Sequence, residues 1–446
     1  MNIIIRYFPV IIQNIMITIY NCFLYRKRHR GIYKDSFEYY SKTNSIQKKD
    51  IEKLQEKKLK DFLDFVTKNS NWYGKYSKFH SLYDFPILTK TELISNITDM
   101  ATIDESKGIV SYTGGTTGSS LKVIYTESDM QERFAILDSF RSQYGYHLGK
   151  KVAWFSGKEI ISSRDLNNGT VFRDDYINKI RFFSTFHISE KSFFSYWEAL
   201  NKFSPEFIVG FPSSVYEICT LAKSKGLRIN KDIKIFFPTA ETVLPMHRNV
   251  IEDVLGCKLV DQYASSEGAP FILECKSGNL HMQLLSGFFE ILDQDNKDST
   301  EGELVVTSFT THGTPLVRYK IGDRIKMADS SLTCSCGSPF PIVKSIDGRT
   351  NDYIESSDNG KVNLGNISNS TKGVEGIIKF QIIQKEIDKL SVMLVVDENF
   401  DDFYKNKFNK ALRARVGKKM SISFELVNSI PTEKSGKFRI VKRLME

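Results

Sequence analysis

Between residues 152 and 261 the chain alternates short β-branched and aromatic runs with helical patterns, and this alternation limits the fold more than any other feature. Residues 152–155, 207–209, 234–237 and 258–261 read as strands. Residues 191–203 and 214–224 read as helices, the second opened by Pro212 and Ser213, and residues 246–255 as a helix stopped by Gly256. Strands separated by helices are joined by crossovers, so an α/β fold with a largely parallel sheet is expected. Upstream, apolar spacing over residues 45–68 predicts an amphipathic helix, and residues 91–97 a short one. Downstream, residues 287–292, 302–308 and 325–327 predict a mainly β region. Strands at 377–384, 391–396 and 421–426 around a helix at 400–416 then predict a compact α+β module. At 446 residues the chain is too long for one ordinary core. Two domains are expected: a large multi-layer α/β N-terminal domain over residues 1–348 and a small α+β C-terminal domain over residues 349–446.

A formal net charge of +9 suits an anionic ligand, an anionic membrane surface or nucleic acid. No Arg-rich stripe or RNA-binding aromatic signature accompanies it, so nucleic acid is not an expected partner. Six cysteines are few for this length, which argues against a disulfide scaffold and for a reducing cytoplasm. Cys22, Cys219 and Cys257 read as core fillers.

Residues 1–24 are largely apolar, with Ile3, Ile4, Ile5, Ile11, Ile12, Ile15, Met16, Ile17 and Ile19, and end at a basic cluster, Arg26, Lys27, Arg28 and Arg30. Arg6, Pro9, Gln13, Asn14 and Asn21 interrupt the run, and no small-residue cleavage site follows it. Three placements remain: a helix packed on the body of the protein, an amphipathic helix lying peripherally on an anionic leaflet, or a membrane span.

The segment Ser111-Tyr-Thr-Gly-Gly-Thr-Thr-Gly-Ser-Ser-Leu-Lys122 packs glycines and hydroxyl residues together. Glycines let the backbone approach a ligand closely, and amides and hydroxyls donate to phosphate oxygens. It is not a Walker loop; a plain flexible turn is the other reading.

Six segments in order resemble the superfamily of acyl-CoA synthetases, adenylation domains and luciferases. Thr113, Gly114, Gly115, Thr116, Thr117 and Gly118 resemble its phosphate loop, and Phe237-Pro-Thr-Ala240-Glu241 its adenine-contact segment. Tyr263-Ala-Ser-Ser266-Glu267 resembles its Tyr-Gly-x-Ser/Thr-Glu motif, with Ala264 in place of the usual Gly. Arg318-Tyr-Lys-Ile-Gly-Asp323 resembles the segment with the ribose-binding Asp, and Asp347-Gly-Arg349 the Gly-Arg before the hinge. Pro431-Thr-Glu-Lys-Ser-Gly-Lys437 resembles the catalytic-lysine motif. Gly210-Phe-Pro-Ser213 points to the phenylacetate–CoA ligase branch, and Phe183-Ser-Thr-Phe-His-Ile-Ser189 with the N-terminus to CapK-type capsular-polysaccharide members.

The resemblance implies ATP, Mg²⁺ and CoA as cofactors and a small carboxylic acid as substrate. Lys437, with Lys434 as the alternative, would bridge the carboxylate and the α-phosphate. Glu267 would hold Mg²⁺, Asp323 would take the ribose hydroxyls, Tyr263 would stack on adenine, and Arg349 would reach ribose or phosphate. Phe182, Phe183, Phe186 and His187 are the acid-pocket candidates. The implied reaction forms an acyl-adenylate and passes the acyl group to CoA, in capsule or O-antigen polysaccharide biosynthesis. An amino sugar or other amine is the alternative acceptor, and a non-catalytic nucleotide-binding subunit of a polysaccharide assembly complex the alternative role.

Cys275 and His281 lie in Cys-x5-His, and Cys334 and Cys336 in Cys-x-Cys-Gly. Thiolates with one imidazole suit a closed tetrahedral Zn²⁺ site, a pattern shared with the CapK-like relatives. The two halves lie far apart along the chain, and free buried cysteines are the other reading.

Overall fold

Five parallel strands account for the strand–helix alternation. Val152–Ser156, Ile180–Ser184, Phe207–Gly210, Ile235–Pro238 and Lys258–Leu259 lie in one six-stranded sheet, whose edge strand Phe172–Asp175 runs antiparallel to Ile180–Ser184. The computed structural model describes residues 8–112, 121–229, 232–349 and 352–445. The chain divides into two compact units. One holds the residues up to Asn21, Leu148–Val260 and the residues from Asp347 onward; the other holds Cys22–His147 and Asp261–Ile346.

In the first unit, helices Phe193–Phe203, Pro212–Ser224 and Pro245–Leu255 bury Trp197, Ile218, Cys219 and Ile251 against Phe155, Ile208 and Phe236 of the parallel sheet. Such strands are apolar along their whole length because both faces are covered. Pro212 at the first turn and Gly256 in left-handed conformation (φ +65°) bound two of these helices as the sequence predicts. The residues beyond Asp347 build a hairpin, Tyr353–Ser356 with Gly360–Asn363, and a four-stranded sheet. Its order is Ser421–Leu426, Lys389–Val396, Ile377–Glu386, Val441–Arg443. Helix Asp402–Val416 covers this sheet through Phe408, Leu412 and Val416.

The second unit contains helices Tyr33–Ser41, Lys48–Asn69 and Glu127–Ser142 and a seven-stranded sheet. The sheet runs Gly287–Leu292, Glu301–Ser308, Tyr319–Met327, Ile342–Arg349, Leu280–Met282, Ile272–Glu274, Gln262–Tyr263. Phe62, Leu63 and Val66 of Lys48–Asn69 bury against its apolar face. The strand expected at 325–327 is the end of a longer one, Tyr319–Met327. Its front half, Tyr-Lys-Ile-Gly-Asp, alternates in burial but is broken in pattern by Gly322 and by charge.

The edge strand Phe172–Asp175 went unanticipated because its sequence, Phe-Arg-Asp-Asp, reads as a solvated turn. Its charges are nonetheless buried and paired. Arg173 is fully buried and donates to Asp165 at 2.7 Å and to Gln13 at 2.9 Å, while Asp174 pairs with Arg181 at 2.8 Å. Helix Val10–Arg28 covers this edge with its polar side. Gln13, Asn14, Thr18 and Asn21 are buried, whereas Ile11, Ile12, Ile15 and Ile19 face out. Of the three placements, the helix does pack on the body of the protein, but through its polar side. Ile3, Ile4, Ile5 and Arg6 lie outside the described residues. Among the described residues no helix is long and apolar enough to cross a membrane. Cys219 and Cys257 are buried core fillers, but Cys22 is only half-buried.

Arg318 anchors the strand that carries Asp323. It holds a left-handed backbone (φ +48°), donates from Nε and Nη2 to the buried Glu290 carboxylate at 2.8–3.1 Å, and from Nη1 to the Phe85 carbonyl at 2.9 Å. Removing one partner of such a pair strands the other charge in the interior. Arg318→Ala is expected to cost about 3–5 kcal/mol, read as a lowered urea midpoint. The double change Arg318→Met with Glu290→Leu should recover most of that loss.

Candidate functional site

The carboxyl ends of parallel strands are where open α/β sheets leave a crevice for ligands. In the first unit, a turn near the C-terminus lies over those ends. Gly157 follows strand Val152–Ser156, Thr185 follows Ile180–Ser184, and Glu241 follows Ile235–Pro238. The turn Glu433–Lys437 closes on itself, with the Gly436 amide donating to the Glu433 carbonyl and the Glu433 amide to the Lys437 carbonyl, both at 2.8 Å. It meets the sheet through glycines. A Cβ on Gly157 would overlap the Ser435 carbonyl oxygen. One on Gly436 (φ +76°) would lie 2.6 Å from the Gly157 Cα and 2.8 Å from Thr185 Oγ1. Phe186 borders the same spot, 3.2 Å from that Cβ position.

Glu241 locks the turn in place. Its carboxylate accepts from the Phe438 amide at 2.9 Å, from the Ser213 amide at 3.1 Å and from Ser213 Oγ at 3.0 Å. Ser213 stands in the first turn of helix Pro212–Ser224, so the carboxylate also sits at a helix N-terminus. Burial pushes the Glu241 carboxyl above its usual range, and these hydrogen bonds together with the Lys437 charge oppose that shift. Lys437 is thereby positioned by its own neighbour in sequence. Ala240, beside Glu241, holds a left-handed φ of +66°, a conformation that costs an L-residue about 1 kcal/mol or more.

Of the acid-pocket candidates, Phe183 is in the core, stacked on Phe155 at 4.7 Å. His187 is half-buried, its Nδ1 2.9 Å from Ser184 Oγ, and burial holds its pKa below the usual imidazole range.

The second unit gathers the other motif residues. Tyr263 ends strand Gln262–Tyr263, and its hydroxyl donates to Asp323 Oδ2 at 2.6 Å. Two residues about sixty positions apart, expected on the base and the ribose of one nucleotide, thus adjoin each other. The following loop, to Glu267, is held from beneath. Arg133 Nη1 donates to the carbonyls of Gly268 and Ala269 at 3.0 and 3.1 Å, and Ser308 Oγ to the Gly268 carbonyl at 2.6 Å. Tyr125 donates to the Ser266 carbonyl at 2.9 Å. Burial, with Glu267 among the charges nearby, pushes the Tyr125 phenol up to about 12. Glu267 itself is buried, at 5% exposure. Ala264 is exposed and has no left-handed φ, so its methyl group is accommodated. Arg133, Tyr125 and Ser308 carry no motif that would have singled them out in the sequence.

The flanks of the Gly/Ser/Thr segment form a hairpin, with Ser111 opposite Val123 and Tyr112 opposite Lys122. Thr113, Gly114, Gly115, Thr116, Thr117 and Gly118 lie outside the described residues. Arg349 ends strand Ile342–Arg349 and is exposed.

Strand pairing joins the two halves of the Cys/His set. Leu280 and His281 pair with Val343 and Ile342, which carries the turn holding Cys334 and Cys336 over the hairpin of Cys275 and His281. The four ligand atoms all lie within 4.8 Å of one another. Cys275 Sγ is 3.6 Å from Cys334 Sγ, and Cys336 Sγ is 3.5 Å from His281 Nε2. Tetrahedral Zn²⁺ bond lengths imply edges of about 3.7 Å between two thiolates and about 3.5 Å between a thiolate and an imidazole, so the spacing fits. His281 Nδ1 donates to the Phe340 carbonyl at 2.8 Å, which turns Nε2 toward the thiols, and Asn279 and the Ser338 amide donate to Cys334 and Cys336.

A family described as the CapK C-terminal domain matches residues 354–444. The sequence is 31% identical over 98% of both chains to Protein CapK of Staphylococcus aureus. It is 25% identical to the Indoleacetate–lysine synthetase of Pseudomonas savastanoi, over 58% of this chain and 63% of that one. Among solved structures, 2-hydroxyisobutyryl-CoA ligase in the postadenylation state in complex with R3-HIB-AMP matches with a TM-score of 0.69 at 16% identity, covering 88% of each chain. A benzoate CoA ligase from Burkholderia xenovorans matches with 0.51 at 10% identity, over 75% of this chain and 68% of that one. The fold is that of the acyl-CoA ligases.

The Cys/His cluster generates a test. Protein purified without a metal-affinity tag should contain near one equivalent of zinc by elemental analysis, and Cys334→Ser should lower both the zinc content and the melting temperature. A folded preparation free of zinc, with all four groups open to thiol or imidazole reagents, would remove the site.

Proposed function

Because this chain belongs to the CapK family, we propose that it activates a carboxylic acid with ATP, forming an acyl-adenylate, and passes the acyl group to CoA. The observation that carries this reading is the mounting of Lys437. A glycine-on-glycine contact and the Phe438–Glu241 bond hold its turn over the carboxyl edge of the parallel sheet.

In the first half-reaction a carboxylate oxygen attacks the α-phosphorus, and the bond to the bridging oxygen of pyrophosphate breaks. Two anions approach each other, so positive charge must meet the transition state. Lys437 supplies it. Asp323 accepts from the ribose hydroxyls and Tyr263 flanks the base, the adjacency of the two supporting one nucleotide subsite. Glu267 would hold Mg²⁺, whose charge would offset that of the phosphates, and the segment 113–118 would donate to them. In the second half-reaction the thiolate of CoA attacks the acyl carbon and AMP leaves. By the same resemblance the small domain is mobile about a hinge near Asp352, ahead of the module that carries Lys437. The setting we propose for this activity is capsule or O-antigen polysaccharide biosynthesis.

Similarity to a relative named for joining indoleacetate to lysine favours a second acceptor, an amine. Its lone pair would attack the same acyl carbon, release AMP and lose a proton. Acid-dependent pyrophosphate exchange over aryl, short-chain and amino acids identifies the acid. Product analysis with CoA or with amines then separates the two acceptors.

Lys437→Ala should leave ATP binding nearly intact and cut pyrophosphate exchange by about two or more orders of magnitude. Unchanged exchange in that variant would remove the proposed role and direct the test to Lys434. Gly157→Ala should leave the melting temperature within a few degrees while displacing the Lys437 turn. A shift of about 1 Å there costs about a hundredfold in rate. Exchange at the wild-type rate would show that the glycine contact does not govern catalysis.

A further inference from the structure

The outward face of helix Val10–Arg28 has no partner in this chain among the described residues. Ile11, Ile19 and Phe23 are 62%, 65% and 73% exposed, and Ile12, Ile15 and Met16 are exposed beside them. These positions share one face at helical spacing. The opposite face is committed: Gln13 accepts from Arg173, Asn14 accepts from the Asp174 amide, Thr18 accepts from the Tyr176 amide, and Asn21 donates to Asp175. The helix cannot roll its isoleucines inward without stripping these partners from a buried strand. A nineteen-residue helix is about 28 Å long, and a contiguous apolar stripe of that length marks an interaction site on a soluble fold.

Charge identifies the occupant. The helix contains no Asp or Glu. Its last turn carries Arg26 and Lys27, three and four residues after Phe23, so both continue the apolar face. Arg26 is exposed and Lys27 half-buried. Arg28 lies over the Phe134 ring at 4.4 Å and Arg30 pairs with Glu127 at 2.8 Å, so these two are left out of the count. Apolar side chains in line with basic ones match the acyl and headgroup layers of an anionic leaflet. A second copy of the same face would instead bring Arg26 and Lys27 no acidic partner, since the helix carries none. We propose that helix Val10–Arg28 docks this protein flat on an anionic lipid surface, its isoleucine face in the interface and Arg26 and Lys27 among the headgroups.

The test is flotation of the full chain with vesicles of phosphatidylcholine alone or mixed with phosphatidylglycerol, at low and high salt. The wild type should float with the mixed vesicles at low salt and be largely released at high salt. Ile15→Asp with Ile19→Asp should reduce the vesicle-bound fraction at least about tenfold, and Arg26→Glu with Lys27→Glu should abolish the preference for phosphatidylglycerol. Both pairs are changes at partly or fully exposed positions, so thermal melting should match the wild type. Absence of wild-type flotation, or flotation indifferent to the isoleucine changes, would overturn the proposal. So would a concentration-dependent dimer that Ile19→Asp dissociates without any vesicle binding, which would make a second copy the occupant. Resistance of the membrane-bound protein to carbonate would likewise overturn surface docking in favour of a span.

Discussion

The bond between the Phe438 amide and the Glu241 carboxylate fixes where Lys437 stands. A lysine on a turn has four flexible carbons and no intrinsic position, so its usefulness depends on how firmly its backbone is held. Glu241 holds it while being held itself by Ser213 at the start of a buried helix, and by the strand Ile235–Pro238 behind it. The parallel sheet thus fixes the carboxylate, the carboxylate fixes the turn, and the turn presents the lysine. Because burial raises the Glu241 carboxyl pKa while the turn's amide and the lysine charge oppose that rise, the clamp and the charge are thermodynamically linked.

In the other unit the same logic runs through cations beneath carbonyls rather than a carboxylate beneath an amide. Arg133 gathers the carbonyls of Gly268 and Ala269 and the hydroxyl of Thr310, and Arg318 gathers Glu290 and the Phe85 carbonyl. Each guanidinium ties two chain segments that are distant in sequence, leaving Tyr263 and Asp323 in contact. Hydrogen bonds to a charged donor are worth about 1.5–3 kcal/mol each, enough for a few of them to hold loops that bury little apolar surface.

What the sequence made legible follows from where the information resides. Four of the five parallel strands and their helices could be read because both-face burial writes itself as continuous apolar runs, whereas Ile180–Ser184, broken by Arg181, could not; Pro212 and Gly256 mark helix ends by backbone geometry alone. The Cys/His set could be named but not assembled, since the pairing of Leu280 with Val343 is a long-range fact. Arg133, Tyr125 and the clamp formed by Ser213 with Glu241 were not legible. They act by reaching other residues' backbones, and neither their spacing nor their residue type records the carbonyl or amide at the far end. The edge strand Phe172–Asp175 was hidden for a related reason: its charges look solvent-facing until Asp165, Gln13 and Arg181 are seen beside them.

That edge strand also bears on how the N-terminal helix packs. An edge presents unpaired amides that a neighbouring element must cover or water must reach. Here the covered strand additionally buries Arg173 and Asp175. Packing isoleucines against it would gain about 1.5–3 kcal/mol per side chain, but would leave the Asp174 and Tyr176 amides unsatisfied at about 1–3 kcal/mol each. It would also take Gln13 from Arg173 and Asn21 from Asp175, and charged groups cost more than amides. The helix as folded keeps these polar partners on the edge strand and leaves Ile11, Ile12, Ile15 and Ile19 facing outward.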